Sequence, residues 1–351
     1  MKKTDIAVIS FTYRGAELAE HIQKVMDAAW SCKLYTKCSD VRADGIGIPV
    51  EQPLFTWAGE QFAAGNALLF IGACGIAVRS IAPHVKDKLS DVPVLVADEA
   101  GQFVIPLLAG HYGGANRLAG ELSRALGATA VLTTATDVNG LFAVDVFAAT
   151  NHLAIASHDG IAWVSARLLR DGYLTMSVAG ECEGEIPPEV RLVPYPPKKP
   201  VDVLVAPQCE DVEQCSLWLI PSCLMFGIGC RRGKSEEELE AFVRETLELA
   251  KLSWAAVAGI ASVDVKADEA GILALAERLA VPYITYPAGR LQCADGTFTS
   301  SDFVAQPVGV DYVCARAAVC AAGEGGRLLV QKTACEGKTL AIAERKWSVK
   351  F

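Results

Sequence analysis

Short runs of valine, isoleucine, leucine and alanine recur along the chain, alternating with stretches of helical patterning. Residues 5–10, 67–72, 92–97, 201–206, 224–228 and 257–260 are such runs. Runs this short, with little polar alternation, suit strands buried on both faces. That is the signature of an α/β protein with largely parallel sheets.

The runs fall into three blocks. Residues 1–145 read as an N-terminal α/β domain: a strand at 5–10, a helix around 16–29, and a strand at 67–72 leading into a helix through Ile81. Two further strands, 92–97 and 103–106, join at Glu99-Ala100-Gly101, ahead of a helix at 116–126 and a strand at 130–134. Residues 146–222 form a smaller middle region, with a helix at 161–169, a proline-rich exposed connection at 186–200, and strands at 201–206 and 217–220. Residues 223–351 read as a C-terminal α/β domain. Its expected strands are 224–228, 257–260, 283–286, 328–332 and 340–344; its expected helices start at Ser235, Glu269 and Cys314. Ser235 with Glu238 has the form of a capping box, and Asp268 is placed to cap the next helix.

With 351 residues, 52% hydrophobic and 21% charged, the chain has material for two or three domains and is not disordered. A net charge of −9 and the lack of a long basic run argue against nucleic-acid and anionic-membrane partners. No apolar segment approaches the ~20 residues of a membrane helix, and the run after Lys2 and Lys3 is too short for a signal peptide. The expectation is a soluble, cytoplasmic protein. Its twelve cysteines show no two-residue spacing of the zinc-knuckle or thioredoxin type. They read as small buried hydrophobes in a reducing compartment, and no protein metal site is expected.

Several segments carry polar chemistry. Ala73-Cys74-Gly75-Ile76-Ala77-Val78-Arg79 is a glycine turn opening a helix, either an anion site or a tight βα turn. Lys86 and Lys88 follow Pro83-His84-Val85 near a helix C-terminus, as carboxylate binders or as solvated helix-end cations. Gly110-His111-Tyr112-Gly113-Gly114-Ala115-Asn116 sets a histidine among glycines, where backbone approaches a ligand closely. Thr133-Thr134-Ala135-Thr136-Asp137 ends a strand with polar residues, Asp137 being either functional or a cap. Gly227-Ile228-Gly229-Cys230-Arg231-Arg232-Gly233-Lys234-Ser235 is close to a phosphate loop. That pattern needs a glycine where Ile228 stands, and the dinucleotide fingerprint fails at Arg232. Its cations still suit an anion at a helix N-terminus, with Lys266 facing the same cleft.

Together these segments resemble the cobalt-precorrin-5A hydrolases of anaerobic cobalamin biosynthesis. The resemblance rests on residues 72–79, 87–91, 98–101, 110–116 and 133–139, and in the C-terminal block on 227–233 and 261–266; the middle region is variable. One departure is Ala315, where the family pattern often has an acid, and no role is assigned to it.

The resemblance implies a substrate that is a ring-contracted cobalt corrinoid bearing a lactone on its ring-A acetate. Water opens the lactone; the freed alcohol then loses its proton, and carbon–carbon cleavage releases acetaldehyde as the macrocycle accepts the electrons. Cobalt arrives with the substrate and no cofactor is implied; other enzymes of the pathway are candidate partners. His111 is the expected base, chosen because a histidine pKa lies near the working pH, with Asp137 orienting it or sharing the role. Backbone N–H groups near Gly113-Gly114 or Gly75-Ile76 are the expected oxyanion donors. Asn116, Thr134 and Gly229 complete the expected binding residues, with Arg79, Lys86, Lys88, Arg231, Arg232 and Lys266 on the substrate carboxylates. A cleft between the outer blocks is the expected place for so large a ligand. Two rival readings use the same residues: a non-catalytic tetrapyrrole escort, which needs no base, and a nucleotide-binding enzyme.

Overall fold

The computed structural model describes residues 4–87, 90–211, 213, 215–292 and 313–351, and the chain divides into two units between Val146 and Phe147. Both are mixed α/β with largely parallel sheets.

The first unit holds seven strands: β1 (Thr4–Ser10), β2 (Trp30–Thr36), β3 (Ile48–Pro49), β4 (Ala67–Ile71), β5 (Val94–Ala97), β6 (Phe103–Leu108) and β7 (Thr129–Ala130). They form one sheet in the order β3-β2-β1-β4-β5-β6-β7. Strands β1 to β5 are parallel, β6 runs antiparallel to β5, and β7 is parallel to β6. Helices α1 (Tyr13–Met26) and α4 (Ala115–Leu126) pack Ala19, Ile22, Leu118 and Leu122 onto one face. Helices α2 (Leu54–Ala64) and α3 (Cys74–Ile81) pack Trp57, Ala58, Ala77 and Ile81 onto the other. The central strands are covered on both sides, which is why their sequences do not alternate.

The reversal at β6 positions the chemistry. Leu108, the last residue of β6, lies opposite Val94, the first residue of β5. The loop after β6 therefore emerges at the edge where β5 begins, not at the carboxyl edge of β1, β4 and β5. Two short helices follow β7, α5 (Ala135–Val138) and α6 (Val144–Thr150). The expected strand at 130–134 stops at Ala130, with one more ladder bond from the Val131 N–H to the Val104 carbonyl. Beyond it Thr134 turns extended and becomes the N-cap residue of α5.

In the second unit, β8 (Ala154–Ile155), β9 (Leu174–Val178), β11 (Val190–Val193), β12 (Val201–Val205) and β13 (Cys215–Ile220) form a sheet in the order β11-β9-β12-β13-β8. Helix α7 (His158–Asp171) lies between β8 and β9, and β10 (Glu181–Glu183) pairs with β19 (Ser348–Lys350). The proline-rich stretch is thus not wholly a connection, since β11 lies within it and pairs in parallel with β9.

A second five-stranded sheet contains β14 (Leu224–Cys230), β15 (Val257–Val263), β16 (Tyr283–Tyr286), β17 (Arg327–Cys335) and β18 (Lys338–Glu344), in the order β16-β15-β14-β18-β17. It carries α8 (Glu236–Leu249), α9 (Ala270–Arg278), α10 (Ala288–Gln292) and α11 (Val313–Ala322). The Ser235–Glu238 capping box forms as expected at α8. Asp268 does not cap α9: Glu269 holds the N-cap position, and Asp268 pairs with Arg232 instead.

Helix α11 lies directly on β14, and a Cβ built on Gly227 would sit 1.7 Å from the Cys314 carbonyl oxygen. Gly227 therefore serves helix–sheet packing. Ala315 is 2% exposed, in a core with Met225, Ala341 and Ala343, so an acid there would enter an apolar layer. Among the described residues, no helix is long and apolar enough to cross a membrane.

Candidate active site

After β6 the chain folds back on itself. Ala109 takes a positive φ of 53°, a conformation with a steric cost for any residue with a Cβ. The Ala109 and Gly110 carbonyls accept the N–H groups of Ala115 and Asn116, and the His111 carbonyl accepts that of Gly114. A Cβ on Gly113 would lie 2.4 Å from the Ala109 Cβ, and Gly114 has φ 89°. The glycines thus close the loop on itself and open α4, which accounts for them without a ligand. The Gly114 N–H is spent inside the loop, and the Ala73 carbonyl takes that of Ile76. Neither is a free oxyanion donor.

The loop presents His111 between two carboxylates. Its Nε2 lies 2.7 Å from Asp137 Oδ2 and its Nδ1 lies 3.2 Å from Asp145 Oδ2. Asp137 Oδ2 also accepts from the Asn116 amide at 2.8 Å, and that amide reaches the Thr134 hydroxyl at 3.0 Å. The Thr136 hydroxyl approaches Nε2 at 3.2 Å. His111 and Asp137, expected as the catalytic pair, and Asn116 and Thr134, expected as binding residues, are therefore in one hydrogen-bonded cluster.

The pKa of His111 is pushed up to about 9. The hydrogen bond to Asp145 is the largest cause, burial opposes it, and the charge of Asp145 and the contacts with Asp137 add to the rise. At neutral pH the ring is an imidazolium that donates to both carboxylates. The two carboxylates move the ring away from the ordinary histidine pKa on which its choice as a base rested.

A cavity of about 310 Å³ opens beside the cluster, lined by Leu107, Leu108, Tyr112, Asn116, Thr134, His111 and Asp145 among others. Asp145 is the residue that sequence reasoning missed. It stands in the first turn of α6, where the helix dipole gives an acid an ordinary explanation, so nothing flags it.

The other expected binding residues divide. Lys86 lies in the loop before β5, its N–H held by the buried Asp91 carboxylate. That loop is at the same sheet edge as His111; Lys88 lies outside the described residues. Gly75 and Arg79 stand at the opposite edge, after β4, with the Arg79 guanidinium over Gly75. They do not join the His111 cluster.

In the second unit, the turn after β14 is filled from within. The Glu269 carboxylate accepts the Gly233 N–H at 2.8 Å and the Lys266 ammonium at 3.0 Å. Arg232 pairs with Asp268, and Lys234 with Glu238. Lys266 and Arg232 are thus neutralised by local acids, and the place a phosphate would take holds a side-chain carboxylate. Gly229 faces the Thr339 hydroxyl. Arg231 extends over Gly337 and has no acid partner among the described residues.

The family model described as Cobalamin synthesis G N-terminal matches residues 56–137, and Cobalamin synthesis G C-terminus matches 224–343. A cobalt-precorrin-5A hydrolase of Salmonella typhimurium is 34% identical across 97% of this chain and 98% of its own. The chain belongs to the cobalt-precorrin-5A hydrolase family. It is a hydrolase of cobalamin biosynthesis. A second hydrolase of that name, from Priestia megaterium, is 28% identical over 81% of this chain and 80% of its own. The crystal structure of CobE, a protein of the cobalamin (vitamin B12) biosynthetic pathway, aligns 36% of the chain with 92% of its own at 34% identity, with a TM-score of 0.33. His111 and Asp137 fall within the N-terminal match, whereas Asp145 lies beyond its last residue.

Proposed function

We propose that this hydrolase acts on cobalt-precorrin-5A, opening its ring-A lactone with water and releasing acetaldehyde to give cobalt-precorrin-5B. The observation that carries this reading is His111, bonded to Asp137 and lining a cavity, in a chain of this family. Lactone opening needs a proton for the leaving alkoxide, and an imidazolium supplies one. The second stage needs a base for the freed alcohol, and the ring that has just given its proton can take one. Asp137, fixed by Asn116, holds the ring in place.

The cavity volume lies at the low end of the range for small-molecule sites, so it takes the lactone-bearing edge of the macrocycle and leaves the rest outside. Lys86, at the same sheet edge, is positioned to meet a peripheral carboxylate. The site uses no resident cofactor in this reading, and cobalt enters with the substrate. Cytoplasmic action beside other enzymes of the pathway completes the proposal.

The test is anaerobic incubation with enzymatically prepared cobalt-precorrin-5A, trapping acetaldehyde as a hydrazone. One equivalent of acetaldehyde per corrinoid consumed is expected. Tight corrinoid binding with no acetaldehyde would replace the hydrolase reading by that of an escort protein.

A further inference from the structure

We propose that Asp145 is a catalytic residue, the carboxylate that takes the proton of the attacking water while His111 Nδ1 protonates the leaving alkoxide. The inference rests on the lactone-opening reading above and adds a residue to it.

The two carboxylates beside His111 are not equivalent. Asp137 is fully engaged through Oδ2, which accepts from both Nε2 and the Asn116 amide, and it does not line the cavity. It is the orienting partner. Asp145 lines the cavity, and its contact with Nδ1 is looser, 3.2 Å against 2.7 Å for the opposite pair. Its other oxygen accepts the Val146 N–H, at 3.0 Å. Nδ1 is therefore the nitrogen on the substrate side, and the cavity wall carries an acid and a base in hydrogen-bond contact.

An acid beside a base is what ester opening requires. Asp145 removes a proton from water as the oxygen adds to the lactone carbonyl carbon. The tetrahedral intermediate collapses with rupture of the ring C–O bond, and the alkoxide takes the Nδ1 proton. The new carboxylic acid and Asp145 each lose a proton to solvent. In the second stage neutral His111 takes the alcohol proton. The carbon–carbon bond breaks with its electron pair entering the macrocycle, and acetaldehyde departs. His111 is again an imidazolium and Asp145 a carboxylate, so the site is reset without an external reductant or oxidant. The high proton affinity of His111, caused chiefly by Asp145, keeps the acid loaded at neutral pH.

The test compares the full-length protein with Asp145→Asn and Asp145→Glu, in acetaldehyde release and in single-turnover lactone opening followed by mass spectrometry. Asp145→Asn is expected to lower kcat by about 100-fold or more, with KM changed less than about threefold, because amide and carboxylate fill the same space. The lactone-opening step carries the loss. Asp145→Glu, which restores a carboxylate, recovers part of it. Asp145→Asn also lowers the His111 titration midpoint, read by NMR without substrate, which shows that the variant is folded and the contact real. Wild-type rate in Asp145→Asn, with acetaldehyde still released, would overturn the role of Asp145 and leave the hydrolase reading intact. Absence of acetaldehyde from the unmodified protein would instead overturn the hydrolase reading and this inference with it.

Discussion

His111→Ala is expected to reduce acetaldehyde release by about 10²- to 10⁴-fold, with corrinoid affinity changed only a few-fold. The ring contacts both carboxylates of the cluster, and in the proposed reaction it is the acid of the first stage and the base of the second. Removing it leaves Asp137 and Asp145 without the cation between them. Binding survives because the cations assigned to the substrate periphery, Lys86 first, are elsewhere. Stopped-assay acetaldehyde measurements beside corrinoid titrations of the same variant separate the two quantities. Turnover within threefold of the unmodified protein would remove His111 from the mechanism.

The largest effect on stability is expected from Gly227→Ala. A Cβ there would meet the Cys314 carbonyl oxygen at 1.7 Å and the Ala318 nitrogen at 2.9 Å, both backbone atoms of α11. Backbone cannot swing aside as a flexible side chain does, so the helix must lift off β14. Overpacking usually costs up to about 3 kcal/mol and here is expected to reach or exceed that. Urea unfolding of the variant is predicted to move to a clearly lower midpoint with an unchanged slope. An unchanged midpoint would show that α11 does not rest on the sheet at this glycine.

This second case shows where sequence reasoning ran short. Gly227-Ile228-Gly229 was grouped with the following arginines as part of an anion-binding turn, because glycine before a helix has that use. A glycine needed for close packing of a helix in the next part of the chain has the same appearance, and only the tertiary contact distinguishes them. Arg232 and Lys266 were offered as substrate cations without regard to the acids beside them, for a related reason. Of their acid partners, Asp268 was read as a helix cap and Glu269 as the start of a helix, so the cations looked free.

What the sequence did reveal was the apolar strand set and the polar residues at strand ends. The buried strands of both units were readable because strands covered on two faces leave unbroken apolar runs. Strand β2 was missed because its Ser31, Lys33 and Thr36 break the run, and β9 because threonine and serine interrupt it. His111 and Asp137 were named as a catalytic pair and Asn116 and Thr134 as binding residues, and the structure joins all four by direct hydrogen bonds. The protonation state of His111 was beyond reach, since it depends on Asp145, an acid with an unremarkable place in a helical first turn.

The charge state of that histidine is central to the account, and it can be read directly. The chain has five histidines, few enough to assign by substitution in an isotope-labelled NMR titration. With Asp145 and Asp137 facing its two nitrogens, His111 is predicted to titrate near pH 9, remaining an imidazolium through neutral pH. A midpoint near the ordinary histidine value of about 6.5 would contradict the account, because His111 would then rest as a neutral base with no proton to give the opening lactone.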